Sequence, residues 1–247
     1  MTLCSETVHL RLGSTREHAV VQVCFLDFKD FVQSIIRIPI TLDYRTRKNL
    51  MFSHPDFTST FLSQEELDQV NGFRSLKKQV EWMAGRYIVR KMVAAFIDPD
   101  HTPSHTLIEY RDKGAPWLKP YPRVKLSITH SGDYAAAAVC LAESIDIGLD
   151  LEQVGERPDP MFMKTAFTRQ EIDSMGDNPP VAEIIRQWTV KEAFLKYLQQ
   201  GFHENLHRVE ILDSAIRFHG RKAPAVWKTR TIGADHIMTL LAGPPRT

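Results

Sequence analysis

Ile147-Gly148-Leu149-Asp150-Leu151-Glu152 alternates apolar and polar residues with the period of a half-buried strand. Ile147, Leu149 and Leu151 then face one way, and Gly148, Asp150 and Glu152 the other. About forty residues later, Trp188 to Lys196 lacks glycine and proline and is rich in helix formers. Its pattern predicts a helix opened by Trp188, with Trp188, Glu192 and Lys196 in one stripe at i, i+4 and i+8 and Lys191 beside it. Val124 to Ser131 reads as a strand, Ser131-Gly132-Asp133 as a tight turn, and Ala135 to Leu141 as a second strand. A third strand, Ile145 to Glu152, is expected to complete a meander. Ala19 to Phe25 and Ile35 to Leu42 are further strand candidates. Loops are expected at 155–160 and 176–180, where glycine and proline cluster.

The same signals occur twice. Phe61-Leu62-Ser63-Gln64-Glu65-Glu66 and Ala166-Phe167-Thr168-Arg169-Gln170-Glu171 each set a hydroxyl residue three positions before a glutamate, the pattern of a capping box. About twenty residues after each cap a tryptophan, Trp82 or Trp188, opens a long helical pattern, and a short extended run follows, around Leu107-Ile108-Glu109 or Arg208-Val209-Glu210. A spacing of about a hundred residues is that of a duplicated domain, not of a solenoid unit. The expected architecture is α+β: two pseudo-symmetric lobes, 1–143 and 144–247, each a small, mostly antiparallel sheet packed with helices, with a site in the cleft between them. Superposing the tryptophans sets Arg86 against Glu192 and Arg90 against Lys196. Gly85 within the first helix implies a close approach of either ligand or packed backbone.

Composition narrows the class. Over 247 residues, 43% are hydrophobic and 25% charged, and the formal net charge is +1. That balance describes a globular protein without the basic face that wrapping a nucleic acid requires. Three scattered cysteines without a CxxC pair indicate neither a disulfide framework nor a zinc site. No membrane span and no basic-then-apolar leader is evident, so a cytoplasmic protein is expected; because the duplicated halves let one chain complete a site, a monomer is expected.

Asp150, Glu152 and Glu192 with Lys191 and Lys196 are an oxygen-rich set suited to a hard cation such as Mg²⁺ and a diphosphate. Each segment also has a plain reading: acids at a strand end suit a solvated edge, and Glu192 with Lys196 suits an exposed i,i+4 pair. His130, between Thr129 and Ser131, suits either a solvated turn or a donor to phosphate.

Taken in order, Trp82-Met83-Ala84-Gly85-Arg86, Asp112-Lys113-Gly114-Ala115-Pro116, Ser127 to Tyr134, Gly148 to Glu152 and Trp188 to Lys196 resemble the phosphopantetheinyl transferase superfamily, in its double-length, two-lobed form. The resemblance covers roughly residues 60 to 215. It implies transfer of the phosphopantetheine arm of coenzyme A to a serine of an apo acyl, peptidyl or aryl carrier protein, releasing adenosine 3′,5′-bisphosphate; the alternative is a non-catalytic coenzyme A or nucleotide-binding module of the same fold. By the family pattern Asp150, Glu152 and Glu192 hold Mg²⁺ (or Mn²⁺), and Glu192, Lys196 and Asp150 are catalytic. Lys78, Arg86, Lys113, Thr129, His130, Lys191 and Lys196 bind the coenzyme, with His130 on the 3′-phosphate and Lys191 and Lys196 on the diphosphate. A free glutamate titrates near 4.3, which favours a water-mediated role for Glu192 over direct proton abstraction. Ala115 stands where the family often has a basic residue, and Ser127 where it often has asparagine. The first sixty residues match nothing in the pattern. Met161 to Phe167, with Lys164, is a candidate seat for an acidic, helical carrier.

Overall fold

The computed structural model describes residues 3–12, 18–37, 43–52, 61–100, 106–199 and 204–245. The chain opens with β1 (Cys4–Arg11) and β2 (His18–Asp27), then α1 (Phe28–Phe31), which continues as a π-helical turn over Val32–Ile36. Next come α2 (Gln64–Asn71) and α3 (Leu76–Met92), then β3 (Ile108–Tyr110), β4 (Pro116–Leu118), β5 (Lys125–Ser131), β6 (Tyr134–Cys140) and β7 (Asp146–Gln153). The remainder is α4 (Pro160–Ala166), α5 (Arg169–Met175), α6 (Val181–Tyr197), β8 (Val209–Leu212), β9 (Ala215–Phe218), β10 (Arg221–Lys222), β11 (Val226–Ile232) and β12 (His236–Gly243). The α+β class holds: small antiparallel sheets ordered β1-β2-β6-β5, β11-β12-β7, β10-β9-β8 and β3-β4 pack with helices.

Both capping boxes form. The Ser63 hydroxyl accepts from Glu66 N while Glu66 accepts from Ser63 N, and Thr168 and Glu171 repeat the exchange. Each glutamate does more than close its cap. Glu66 also accepts from Arg90 on α3 at 2.5 Å, and Glu171 from Lys191 on α6 at 2.7 Å. The long helices start earlier than expected, at Leu76 after an N-cap Ser75 and at Val181 after Pro180, so neither tryptophan opens its helix.

Two strand expectations are corrected. Ile35 and Ile36 close the π-helical turn, Arg37 adopts positive φ, and 38–42 lie outside the described residues. The expected meander breaks at β7, which pairs along its length with β12, while β6 pairs with β2 and β5. Edge strands β5 and β7 are instead joined by hydroxyls: Ser127 Oγ accepts from Leu149 N at 2.9 Å and Ser131 Oγ from Gln153 N at 3.2 Å. A short side chain that spans two strand edges satisfies amides that the ladder leaves open.

The run of alanines in β6 explains its central place. Ala135 and Ala137 face the core built on α3, whereas Ala136 and Ala138 face the one shared with Ile147, Leu149 and Leu151 of β7 and with Met238 of β12. Small side chains let both layers approach the strand closely. The expected boundary between residues 143 and 144 thus falls beside strands that share one core. Gly85 meets Ile128 of β5, so its lack of a side chain serves helix-to-sheet packing.

Gly148 fixes the spacing of β7 and α6. A Cβ there would overlap the Ala193 carbonyl oxygen and lie 2.6 Å from Tyr197 N, both backbone atoms that cannot rotate away. Gly148→Ala is expected to cost at least about 3 kcal/mol of stability, read as a large drop in the thermal midpoint. An unchanged midpoint would show that α6 does not sit this close to the strand.

Candidate active site

The alternation of β7 delivers Asp150 and Glu152 onto the face covered by α6, and the helical stripe brings Glu192 and Lys196 to meet them. Lys196 Nζ donates to Asp150 Oδ1 at 2.6 Å, and Thr129 Oγ1, from β5, donates to the same oxygen at 3.3 Å. Glu152 accepts from Ser131 Oγ at 2.8 Å and from Trp188 Nε1 at 3.4 Å. Asp150 is 3% exposed and Glu192 6%, which sets aside the reading of a solvated strand edge.

All three acids, Asp150 and Glu192 buried and Glu152 half-buried, hold their protons more tightly than in water. Burial pushes the Asp150 carboxyl up, with Lys196 pulling the other way. Burial and then the Asp150 charge raise Glu152. Glu192 is pushed up to about 8, first by burial and then by Asp150, against the pull of Lys196, with Glu152 adding to the rise. The aqueous value used in the sequence argument therefore fails, because it contained neither burial nor two neighbouring acids.

Among the described residues, no three His, Cys, Asp or Glu side chains stand close enough to enclose a cation as they are. The donor chemistry nonetheless fits one. Asp150 Oδ2 and Glu192 Oε1 are buried oxygens without a hydrogen-bond partner, an arrangement that costs about 1–3 kcal/mol per group or more for charged ones. An oxygen-loving divalent ion would satisfy both.

A cleft of about 460 Å³ opens beside these acids, lined by Lys113, Ser127 and His130 from one half of the sequence and Glu192, Lys196 and Gln199 from the other. Its floor and rim include the β3–β4 hairpin with Tyr110 and Ala115. His130 is held below the usual histidine range by burial and by Lys78, Lys196 and Lys77, with Glu81 opposing them. Lys78 lies beside this group, 3.9 Å from Glu81. Lys77, 3.6 Å from the same acid, was missed in the sequence reading although it adjoins Lys78.

Three expected coenzyme ligands are placed otherwise. Lys191 is 0% exposed, and its Nζ donates to Ala166 O and Glu171 Oε2, both at 2.7 Å, and to Leu206 O at 3.2 Å. It is a structural cation on the far side of α6 from the diphosphate role foreseen for it, since consecutive helical residues point about 100° apart. Arg86 is buried against Glu66 at 3.3 Å, stacks over Trp82, and donates to the Tyr110 hydroxyl at 2.9 Å. It supports the cleft only through Tyr110. Thr129 is buried, with its hydroxyl turned to Asp150, and it is not part of the cleft wall.

Residues 146–241 match the family described as the 4′-phosphopantetheinyl transferase superfamily. The chain is similar to the human L-aminoadipate-semialdehyde dehydrogenase-phosphopantetheinyl transferase, 30% identical over 60% of this chain and 52% of the relative. It is 23% identical to the 4′-phosphopantetheinyl transferase psf-1 of Bacillus pumilus over 75% of this chain and 80% of that protein. To the 4′-phosphopantetheinyl transferase HetI of Nostoc it is 28% identical, over 61% and 64%. The chain thus spans about half the length of the human relative. No described helix is long and apolar enough to cross a membrane.

Proposed function

We propose that this chain, whose residues 146–241 match the 4′-phosphopantetheinyl transferase superfamily, transfers the phosphopantetheine arm of coenzyme A to a serine hydroxyl of an apo carrier protein. The observation that supports this best is the convergence of Glu192, Lys196, His130 and Lys113 on one cleft beside buried Asp150. The cleft draws its lining from both halves of the sequence, and the substrates would meet there.

Asp150, Glu152 and Glu192 would hold a divalent cation such as Mg²⁺ or Mn²⁺, whose chemistry is to neutralise charge at a reacting diphosphate. The chain's own residues do the remainder. Lys196, 30% exposed at the cleft, would stabilise the diphosphate oxygens; His130, Lys113 and Lys78 would hold the nucleotide's 3′-phosphate end. The serine oxygen bonds to the phosphorus nearer the pantetheine. The bridging P–O bond breaks, adenosine 3′,5′-bisphosphate leaves, and the serine proton passes to Glu192 directly or through one water. Thr129 and Ser131 orient Asp150 and Glu152 through the bonds described above.

For the carrier, α4 offers a seat. Met161 is 71% exposed, with exposed Lys164 and Thr165 beside it, while Phe162 packs on Trp188 and Phe167. Lys164→Glu is expected to raise the Michaelis constant for an acidic carrier about tenfold and to leave that for coenzyme A unchanged. An unchanged carrier constant removes α4 from the interface.

Intact-mass analysis of several apo carriers, incubated with coenzyme A and Mg²⁺, tests the reaction, with Asp150→Ala as control. A phosphopantetheine mass gain that disappears in the variant is the expected outcome. Coenzyme binding with no gain on any carrier would leave the non-catalytic module as the function.

A further inference from the structure

His130 has a single acid among its charged neighbours. Glu81 Oε1, from α3, lies 3.9 Å from His130 Nδ1 and 3.6 Å from Lys77 Nζ, and Glu81 Oε2 lies 3.9 Å from Lys78 Nζ. The acid is the buried member of this group: its side chain is 11% exposed, against 44% and 49% for the two lysines and 39% for His130. His130 lines the cleft, and Glu81 is not part of its wall. The imidazole thus stands between an anchoring carboxylate and the space where an anion would enter.

To donate to a phosphate, the ring nitrogen facing the cleft must carry a proton, and the state of the other nitrogen decides whether it does. The groups facing His130 are Lys77, Lys78 and Glu81 from α3 and Lys196 from α6. The three lysines and burial all oppose the doubly protonated ring, and Glu81 alone favours it. Without Glu81 the ring could settle with an unprotonated nitrogen toward the cleft and repel the ligand it is meant to hold.

We infer that Glu81 is a positioning residue for the coenzyme's 3′-phosphate: it fixes His130 through the Nδ1 side and gathers Lys77 and Lys78 beside it, so that imidazole and ammonium groups meet the phosphate together. The inference rests on the coenzyme reading of the cleft. It adds that a half-buried acid, itself repelled by phosphate, strengthens recognition of that phosphate.

Calorimetric titration of the wild type, Glu81→Gln and His130→Ala with coenzyme A and with 3′-dephospho-coenzyme A tests it. Glu81→Gln should weaken coenzyme A about fivefold, the size of one partly exposed charge interaction, and leave the dephospho compound unchanged. The loss should grow as pH rises from 6 to 8, and adding His130→Ala should bring little further loss. Equal weakening of both compounds would make Glu81 merely structural, and tighter binding of coenzyme A would make it an opposing charge; either overturns the inference. The His130 ring resonances of the ligand-free protein give a second readout: its pKa must fall in Glu81→Gln, and no change refutes the positioning role. If neither compound binds the wild type, the coenzyme reading itself fails, which is distinct from a coenzyme that binds without help from Glu81.

Discussion

Lys191→Met is expected to destabilise the fold by about 3–5 kcal/mol, because it leaves Glu171 buried without its cation. The Glu171 carboxylate is 2% exposed and accepts from Lys191 Nζ, Thr168 N and Ile211 N. Loss of the ammonium also strands the carbonyls of Ala166 and Leu206, which tie the ends of the α4–α5 segment and the approach to β8 onto α6. A loss of that size is a large part of the roughly 5–15 kcal/mol that holds a domain together. Methionine keeps most of the side-chain volume, so the effect is one of charge and hydrogen bonding. Urea unfolding should show a much lower midpoint, and Glu171→Gln in the same chain should restore part of it, since the amide keeps the cap without the charge. Coenzyme affinity per folded molecule should not change. A stable Lys191→Met protein that binds coenzyme A weakly would return Lys191 to the diphosphate.

The error over Lys191 shows where sequence reading stops. Glu192 and Lys196 are four apart and share a face by helical geometry alone, whereas Lys191, adjacent in sequence to Glu192, points elsewhere. That much was legible. What Lys191 meets there was not, because Glu171 is twenty residues away and its local pattern announced only a capping box. Short-range signals therefore survived well: both caps, the alternation of β7, and the two-residue turn at Gly132 and Asp133, where Gly132 has φ +54°. Pairings decided by distant partners did not. β7 follows β6 in sequence, yet its apolar face completes a core with β12, and it is tied to β5 by the Ser127 and Ser131 hydroxyls and not by a ladder. Ser127, which departs from the family's usual asparagine, still supplies one polar contact across that seam by accepting from Leu149 N. Arg86 escaped for the same reason as Lys191, its partner Glu66 having already been assigned to a cap. The first sixty residues, illegible by motif, supply β1 and β2, which extend the β5–β6 sheet. They also supply Arg45 and Tyr44, which bind Asp133 in the turn next to Ser131.

Glu192→Gln should separate catalysis from folding in opposite directions. In the chain alone, burial and the neighbouring acids push Glu192 up to about 8, against an ordinary value near 4.3, so the folded state keeps a proton that the unfolded state releases. For a group raised in this way, stability is fully present below the unfolded value and is lost as pH climbs through the folded one. The metal-free wild type should therefore weaken steadily from about pH 5 to pH 9, by on the order of 2–4 kcal/mol from this residue. Glutamine cannot ionise, so the variant should be the more stable protein at pH 9 and nearly equal to wild type at pH 5. A gentler slope should remain, because Asp150 and Glu152 are raised in the same sense. Turnover should move the other way, falling by at least about a hundredfold through loss of the proton acceptor, while coenzyme A affinity changes far less. Denaturant unfolding at several pH values without divalent ions, together with single-turnover transfer, measures both. Equal losses of affinity and rate would remove the proton role from Glu192. An unchanged pH slope would mean that the carboxyl is solvated, and with it would go the reason for expecting a cation to bind there at all.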